Sequence, residues 1–560
     1  MTPLIAELRA IVGGRHVLST PASTRAYATG YRFGSGEVAA VVRPGSLVEL
    51  WRVFTACVSG GHIVIPQAAN TGLTGGSTPL GDYDRPVVIV STLRLTRVIP
   101  ILGGDQVICL AGATLYDLER ELAPLGREPH SVIGSSCLGA SVVGGVCNNS
   151  GGALVQRGPA YTEYALYARV DDSGAVRLHN HLGVELGPDP ETMLAALEGR
   201  RFGDGDIARD DRAASAAADY AQVVRGVDEA SAARFNADPK RLHEASGSAG
   251  KVVVFAVRLD TFPAPRRSTV FYVGTNDTAE LTELRRAMLS GNSPLPVSGE
   301  YIHREAFDIA ARYGKDTVLA IRWLGTDRLP LLFRAKGWVD RFARRLRFLP
   351  GHASDRLLQG CSRAFPQHLP ERMRRYRDTY EHHLVLKVAD DAIEPTQALL
   401  ARMFPSASGD AFTCDPEEAD KAMLHRFAVA GAAVRYRAVH PDSVEDIVAI
   451  DVALRRDERD WFERLPPEIE ARLVAKLYYV HFLCHVFHQD YLVKKGVDPV
   501  ALEHQILALL DVRGAEYPAE HNVGHLYAAK PALAEHYRRL DPTNCMNPGI
   551  GGTSRLRHHG

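Results

Sequence analysis

The sequence predicts an α+β protein of several domains, and three observations lead to this prediction. The chain has 560 residues, which at about 150 residues per domain corresponds to three or four domains. Strand–helix–strand patterns open the chain, and mixed helix and strand patterns return at 270–325 and 380–510. A strongly basic stretch lies between these two later regions. Hydrophobic residues make up 46% and charged residues 23% of the chain, which excludes a disordered or collagen-like protein.

The early part of the chain shows the alternation that is typical of a βαβ unit. Residues 38–42 (VAAVV) have the pattern of a buried strand. Ser46 and Glu49 then form a capping box for a helix that runs to Val58, and the next strand is predicted at 62–65. Further strands are predicted at 87–90, 106–110, 252–259 and 384–388, and a helix capped by Thr114 is predicted through Ala123.

Neither a disulfide framework nor a membrane span is expected. The eight cysteines are scattered and form no CxxC pair, which favours a reducing compartment. No secretory signal is visible at the start of the chain. The longest stretch free of Asp, Glu, Lys and Arg spans 129–156, but its Gly, Ser and Asn content would make a poor lipid-facing surface. The polar, Ala-rich stretch 199–238 has no clear periodicity and is predicted to be a long surface loop.

The charge of the chain is distributed very unevenly. Residues 328–377 contain 13 basic and three acidic side chains, so this segment carries +10 while the whole chain carries −1. A helix over 334–348 would place Trp338, Phe342 and Leu346 on one stripe beside the charges. Basic residues with apolar neighbours are typical of a helix lying in a membrane interface. A solvated charged face and a nucleic-acid surface remain alternatives, although no nucleic-acid-binding motif accompanies the segment.

Two glycine-rich loops carry the strongest signal for ligand binding. The first, 66–79 (PQAANTGLTGGSTP), follows a strand directly, and its glycines and short polar side chains can form an anion-binding nest for a pyrophosphate. It has neither the GK[ST] of a P-loop nor a GxGxxG pattern. The second, 134–152 (GSSCLGASVVGGVCNNSGG), combines glycines, small polar residues and valines. This composition favours backbone that wraps closely around a flat, polar ligand.

Together these loops resemble the FAD-binding domain of the PCMH type, also called the vanillyl-alcohol-oxidase type. The third element of that pattern corresponds to 246–255 (SGSAGKVVVF). The resemblance implies non-covalent FAD, because the first loop has Asn70 and none of the histidines that tether the cofactor in some members. It assigns the pyrophosphate to Ala68, Ala69, Asn70, Thr71, Gly72, Gly76 and Ser77, and the rest of the cofactor to Gly134, Ser141, Gly151 and Val253.

Longer motifs extend the resemblance to most of the chain. REPHSVIGSS (from Arg127), VQRGPAYTE (from Val155), FHQDY (from Phe487) and YPAEHNVGHLY (from Tyr517) are similar to the bacterial quinone-dependent D-lactate dehydrogenases, which are respiratory peripheral-membrane enzymes. The resemblance implies an FAD-binding domain at 1–260 completed by 511–560, a cap domain at 261–325 and 380–510, and a basic membrane-binding module at 326–379.

The same resemblance implies a reaction, its partners and a location. The expected reaction is oxidation of D-lactate to pyruvate by FAD, followed by electron transfer to membrane quinone. An anionic phospholipid surface is the expected docking partner, nucleic acid is not, and the expected location is the cytoplasmic face of the bacterial inner membrane. Two alternatives are kept: an FAD-dependent dehydrogenase of glycolate or 2-hydroxyglutarate, and, in another class, a cationic nucleic-acid-binding protein.

The reaction needs a base for the hydroxyl proton and a cation for the substrate carboxylate. His521 in AEHNVGH is the preferred base with Glu520 as its orienting partner, because the wider family of 2-hydroxy-acid-oxidising enzymes has a similar pair. The rival histidines are His440, His488 and His525. Arg435 is the first candidate for the carboxylate and Arg304 the second. No metal is expected, because the stretch AVAGAAVRYRAVH, which ends at His440, lacks the first histidine of the GHxGDGNxH motif of some relatives.

Overall fold

A computed structural model describes residues 3–131, 139–324, 353–362 and 364–560. Within these ranges the strands form four sheets, with helices packed on the three larger ones. The predicted α+β class is therefore confirmed.

The first sheet contains the predicted βαβ unit. Its strands are β1 (Val17–Leu18), β2 (Ala40–Val42), β3 (Ile63–Gln67) and β4 (Val87–Ser91), in the order β1-β2-β4-β3. Strand β4 runs parallel to both β2 and β3, so the connection from β2 to β3 must cross over. Helix α3 (Leu47–Ser59) makes this crossover, and the predicted Ser46 cap accepts a hydrogen bond from the Glu49 N–H at 3.1 Å. Helix α1 (Pro3–Val12) packs on α3, and α2 (Pro21–Ala28) precedes β2.

The second sheet is antiparallel and lies next along the chain. It has the order β5-β6-β10-β8-β9, and a two-stranded ribbon of β7 and β11 accompanies it. The strands are β5 (Val98–Ile101), β6 (Gln106–Leu110), β7 (Arg127–Glu128), β8 (Ala165–Val170), β9 (Val176–Asn180), β10 (Val253–Asp260) and β11 (Phe262–Pro263). The helices of this region are α4 (Leu115–Leu122), α5 (Val142–Cys147), α6 (Pro190–Glu198) and α7 (Ala217–Arg225).

Helix α7 corrects one prediction. The stretch 199–238 was expected to be a surface loop without regular structure, yet α7 buries Tyr220 and Val224. These two residues are four apart and therefore lie on one face of a helix. The many alanines around them weaken the hydrophobic period, which is why the helix is hard to recognise in the sequence.

A seven-stranded antiparallel sheet forms the second half of the molecule. Its order is β15-β12-β14-β13-β17-β18-β16. The strands are β12 (Ser268–Thr275), β13 (Ser298–His303), β14 (His382–Ala389), β15 (Gly409–Thr413), β16 (Val444–Ala453), β17 (Leu473–His481) and β18 (Val486–Lys494). Because most neighbouring strands in this order are not consecutive in the chain, the sheet brings together side chains that are far apart in the sequence.

Both faces of this sheet are covered by helices. Helices α8 (Thr278–Leu289), α13 (Ile393–Met403) and α17 (Pro499–Val512) share one hydrophobic core with one face. Helices α9 (Arg304–Tyr313), α14 (Pro416–Phe427) and α15 (Val429–Val439) share another core with the opposite face. A short helix, α16 (Pro467–Glu470), precedes β17, and α18 (Pro531–Leu540) lies in the C-terminal segment, which returns to the first sheet through a bridge between Met546 and Val64.

Helices precede the basic segment and lie in its described part. Helix α10 (Lys315–Leu324) comes before it, and α11 (Ala353–Ser362) and α12 (Glu371–Thr379) lie in its described part. The helix predicted at 334–348 lies outside the described residues. Among the residues that the structure does describe, no helix is long and apolar enough to cross a membrane.

Candidate active site

Four strands of the large sheet place polar side chains on the face that α9, α14 and α15 cover. Glu300 in β13 lies opposite His481 in β17, and Asp451 in β16 lies opposite His488 in β18. Residues directly opposite each other in antiparallel strands project to the same face. The register therefore gathers these side chains into one buried group.

Asp451 fixes the segment that carries the predicted base, His521, and its predicted orienting partner, Glu520. Its carboxylate accepts hydrogen bonds from three consecutive backbone N–H groups, those of Ala519, Glu520 and His521. The Glu520 and His521 N–H groups lie 2.9 and 2.7 Å from Oδ2. The same oxygen is 3.0 Å from Nδ1 of His521. One buried side chain thus orients both the backbone and the imidazole of the loop.

Glu520 turns its carboxylate into the buried group. Its Oε1 accepts a hydrogen bond from Arg234, and its Oε2 lies 3.4 Å from Nε2 of His481 and 3.5 Å from Nε2 of His488. Burial raises the pKa of Glu520, but His481 and Arg234 outweigh burial and hold the pKa well below its ordinary value. Glu520 is therefore a carboxylate, and with Arg234 it forms a buried ion pair.

His481 and His488 have opposite protonation preferences although each side chain is only 13% exposed. Burial lowers the pKa of His481, but Glu300, whose Oε1 is 2.7 Å from its Nδ1, and Glu520 together raise the pKa to about 9. The other oxygen of Glu300 is 3.0 Å from Arg426. Burial dominates at His488 and lowers its pKa, so this ring is neutral. The group thus contains one imidazolium and one neutral imidazole.

His488 connects this group to His521 and to a second carboxylate. Its ring stacks on Tyr479 with centroids 5.4 Å apart, and it lies 5.7 Å from the ring of His521. The Tyr479 hydroxyl donates to Asp490 at 2.8 Å. Burial raises the pKa of Asp490, and the charge of Arg32 opposes that rise.

Three members of the group could hold a metal ion. Ligand atoms of His481, His488 and Glu520 all lie within 4.8 Å of one another. Two imidazoles and a carboxylate suit Zn²⁺ and similar divalent metals. Sequence reasoning missed this set because it compared a different stretch, the one that ends at His440. The absence of a metal stays a prediction that the structure does not test.

The first glycine-rich loop is packed against the segment that follows His521. A side chain at Gly76 would collide with Asn522, whose side chain also accepts from Thr74. The His525 N–H donates to the Thr74 carbonyl at 2.9 Å, and its Nε2 donates to the Thr78 carbonyl at 2.8 Å. His525, one of the rival bases, therefore shapes this loop.

The second loop reaches Glu520 directly. Ser141 caps α5 by accepting from the Gly144 N–H at 3.0 Å, and Gly134 lies outside the described residues. A Cβ at Gly151 would be 2.7 Å from Oε1 of Glu520. Glycine is thus required where the predicted flavin loop meets the acid–base pair. The predicted Val253 is buried at the start of β10.

The loops also hold buried acceptor atoms that suit a polar cofactor. Asn547 ties the first loop to the third element, because its amide donates to the carbonyls of Gly76 and Ala249 at 2.8 Å each. Its Oδ1, like that of the buried Asn149, has no hydrogen-bond partner among the described residues. Buried acceptors are normally satisfied, so these atoms fit the donors of a bound dinucleotide. The residues present therefore fit FAD.

Three predicted residues lie outside this buried group, and their roles in the reaction stay predictions. Arg435 binds Asp355 at 2.7 Å and Asp316 at 2.9 Å, and Arg304 binds Glu381 at 2.6 Å. Both guanidinium groups thus already hold carboxylates. His440 shares a hydrogen bond with the Tyr313 hydroxyl at 2.8 Å, at the end of α15.

Several residues of the site were missed in the sequence. They are Arg32, Arg234, Glu300, Arg426, Asp451 and His481. They come from separate strands, helices and loops, so no spacing rule groups them. Only the pair His481 and His488, seven residues apart at the β17–β18 turn, gives a signal that the sequence could have shown.

Comparisons with known proteins show which families and folds this chain resembles. The family described as "D-lactate dehydrogenase, membrane binding" matches residues 270–559, and an FAD binding domain matches 38–175. The predicted cofactor, FAD, is thereby confirmed. In fold, the chain is similar to p-cresol methylhydroxylase, with a TM-score of 0.57, 12% identity, and coverage of 98% of this chain and 96% of that one.

Full-length relatives extend the comparison to the whole chain. The quinone-dependent D-lactate dehydrogenase of Escherichia coli is 57% identical over 99% of this chain and 97% of its own length. The enzyme of the same name from Haemophilus influenzae is 57% identical over 99% of both chains. The chain belongs to the family of quinone-dependent D-lactate dehydrogenases.

Proposed function

We propose that this protein oxidises D-lactate to pyruvate and passes the two electrons to membrane quinone. The observation that carries the proposal is the contact between Gly151 of the flavin loop and Glu520, beside the His521 that Asp451 orients. Bound FAD supplies the acceptor for the hydride that leaves C2 of the substrate. The protein's own residues must then bind the substrate and take its hydroxyl proton.

His521 is the proposed base. Its Nδ1 lies 3.0 Å from Oδ2 of Asp451. In the proposed mechanism Nδ1 carries the proton, which leaves the Nε2 lone pair to accept the hydroxyl proton. The His521 side chain is 36% exposed whereas that of Asp451 is 1% exposed, so the imidazole can meet a substrate while its partner stays buried. A base at hydrogen-bonding distance from its substrate typically contributes about 10²–10⁴-fold to the rate.

Glu520 and Arg234 form a positioning pair behind the base. Their buried ion pair holds the loop at the flavin side of the site. The carboxylate of Glu520 also lies 3.4 Å from the imidazolium of His481 and balances its charge. Removing one partner of a buried pair leaves an uncompensated charge. We therefore propose that Glu520 and Arg234 keep the loop in place and set the charge of the site, and that neither residue transfers a proton.

The membrane contact is proposed for the basic segment, on an anionic phospholipid surface at the cytoplasmic face of the inner membrane. The described ends of the segment support this. Leu357 on α11 is 66% exposed beside the exposed Arg356, and Arg374 and Arg375 are exposed on α12. Exposed cations with an exposed apolar side chain suit a lipid interface. The family match to a membrane-binding D-lactate dehydrogenase covers this segment.

An anaerobic half-reaction tests the proposed function. The purified holoenzyme is mixed without oxygen with D-lactate, L-lactate, glycolate or D-2-hydroxyglutarate, and bleaching of the flavin absorbance is followed. We expect D-lactate to reduce the flavin fastest, and a quinone analogue to restore the absorbance. Faster reduction by glycolate or 2-hydroxyglutarate would instead support the alternative substrates. A protein without flavin absorbance even after reconstitution would return attention to a cationic nucleic-acid-binding protein.

A further inference from the structure

Arg32 lies on a loop that is fixed to the first cofactor loop. The loop is closed by a bridge between Thr29 and Ser35 and by a hydrogen bond from the Gly30 N–H to the Gly34 carbonyl at 2.8 Å. Asn70 of the cofactor loop donates its amide to the Thr29 carbonyl at 2.9 Å. The backbone of Arg32 is therefore held at a defined place beside the cofactor loop.

The side chain of Arg32 spans the gap between that loop and the large sheet. Its Nη2 donates to the carbonyl of Ile447 at 3.2 Å. Ile447 lies in β16, the strand that carries Asp451 four residues later, and residues at even spacing share a face. Burial raises the pKa of Tyr527, six residues beyond His521, and the charge of Arg32 opposes that rise. The guanidinium is thus close to both elements that present His521.

Arg32 differs from the other arginines of the site in its partners. Arg234 is paired with Glu520, and Arg426 with Glu300. For Arg32, the described residues supply a single side-chain hydrogen bond, to a neutral carbonyl, and no ion pair within 4 Å, although its charge acts on the carboxyl groups of Asp490 and Glu503. A guanidinium has five N–H donors, so most of those of Arg32 remain available at the exposed edge of the site.

The net charge of the buried group around His521 also favours a further cation at the site. The charged side chains of this group include four carboxylates, Glu300, Asp451, Asp490 and Glu520, against two guanidinium groups, Arg234 and Arg426, and the imidazolium of His481. Like charges repel strongly where water is excluded. A further positive charge beside His521 would therefore favour the approach of an anionic substrate, and Arg32 is placed to supply it.

We propose that Arg32 binds the carboxylate of the 2-hydroxy acid substrate and so makes the site selective for anionic substrates. The planar fork of a guanidinium matches the two oxygens of a carboxylate. This inference rests on the proposed function. It replaces Arg435 and Arg304 in the role that the sequence analysis gave them.

Substrates that differ only in charge test the inference. Flavin reduction by D-lactate and by its neutral amide, D-lactamide, is measured for the wild-type holoenzyme, Arg32→Gln and Arg32→Lys. We expect Arg32→Gln to raise the KM for D-lactate by roughly 10- to 100-fold, the effect of losing a charge-assisted hydrogen bond, while kcat changes little. Its reaction with D-lactamide stays as in the wild type, and Arg32→Lys lies between the two. Arg25→Gln, at an exposed arginine of α2, is the matched control and leaves both substrates unaffected.

The outcomes separate the inference from the function on which it rests. A wild-type enzyme that D-lactate fails to reduce would overturn the proposed function. A wild-type enzyme that reacts, with the preference for D-lactate over D-lactamide unchanged in Arg32→Gln, would overturn the role of Arg32 alone. Thermal unfolding and flavin content are measured for each variant. A loss of FAD in Arg32→Gln with an unchanged KM for the remaining holoenzyme would show that Arg32 only joins the loop to β16, and would also overturn the inference.

Discussion

The chemistry of individual residues in this site depends on one buried carboxylate. Asp451 accepts hydrogen bonds from three backbone N–H groups, and its Oδ2 lies 3.0 Å from Nδ1 of His521, so its side chain fixes the position of the loop and faces one nitrogen of the imidazole. A histidine whose second nitrogen is fixed in this way has a defined tautomer. This is the arrangement that a base for a hydroxyl proton needs.

Replacing His521 tests that role. We expect His521→Gln to keep FAD bound and to slow flavin reduction by D-lactate by about 10²–10⁴-fold, because the hydroxyl proton loses its acceptor. Stopped-flow absorbance measures the rate. His440→Gln is the control, because His440 lies at the end of α15 in contact with Tyr313. Equal reduction rates in wild type and His521→Gln would remove His521 from the mechanism.

The ligand geometry of His481, His488 and Glu520 leads to a second prediction at the residue scale. We expect chelator-treated protein to bind one equivalent of Zn²⁺ or Mn²⁺, with an affinity that rises with pH. The reason is that a metal must displace the proton of His481, whose pKa Glu300 and Glu520 raise to about 9 against the effect of burial. Calorimetry and elemental analysis measure the binding. His488→Ala should abolish it and His440→Ala should not; equal metal content in all three proteins would contradict the site.

At the scale of elements, the large sheet is the part of the fold that builds the site. Strand β13 is distant in sequence from β16 and from the adjacent pair β17 and β18, and the register of these four strands places Glu300, Asp451, His481 and His488 together. The sheet core also contains a histidine that takes no part in the site. His383 in β14 is fully buried near Phe307 and Tyr272, and neither ring nitrogen has a hydrogen-bond partner among the described residues.

His383 makes the stability of the large sheet sensitive to acid. Burial, with the neighbouring His382, lowers the pKa of His383 to about 3 in the folded protein, against about 6.5 in an unfolded chain. The stability that this difference contributes is complete above pH 6.5 and falls as the pH drops towards 3, by up to about 1.4 kcal/mol per pH unit.

A substitution at His383 measures this contribution. We expect His383→Leu to show a shallower loss of Tm than wild type between pH 6.5 and 4. His504→Leu, at an exposed histidine of α17, should follow the wild-type curve. Parallel curves for wild type and His383→Leu would show that His383 is not the source of the acid sensitivity.

At the scale of the whole molecule, the site forms where the two glycine-rich loops meet the large sheet. Gly151 contacts Glu520, and Asn547 joins the first loop to the segment before β10. The described part of the basic segment is attached to the large sheet's helices: Arg435 of α15 binds Asp355 of α11, within the segment, and Asp316 of α10, which precedes it. These two ion pairs join α10 and α11 to α15.

Charge reversal tests the proposed membrane contact. We expect the combined change of Arg341, Arg344, Arg345 and Arg347 to Glu to weaken binding to vesicles with anionic lipid by three orders of magnitude or more, at about 1 kcal/mol per basic side chain lost. Activity with a water-soluble dye stays close to that of wild type. The control reverses four exposed arginines outside the segment, Arg25, Arg201, Arg209 and Arg538. Equal vesicle binding by both variants would defeat the assignment of this segment.

The α+β class, the βαβ unit with its Ser46 cap, the glycine-rich loops and the basic segment could be predicted from the sequence, whereas the roles of Glu520 and His521 stay predictions. These features are local, because they depend on caps, periodicity, glycine content and charge within short windows. Only the tertiary structure shows which arginines pair with carboxylates and which histidines lie beside Glu520. It also shows that Asp451, and not Glu520, lies beside the imidazole of His521. Those contacts depend on the register of strands that are distant in sequence, and a short window of sequence carries no information about that register.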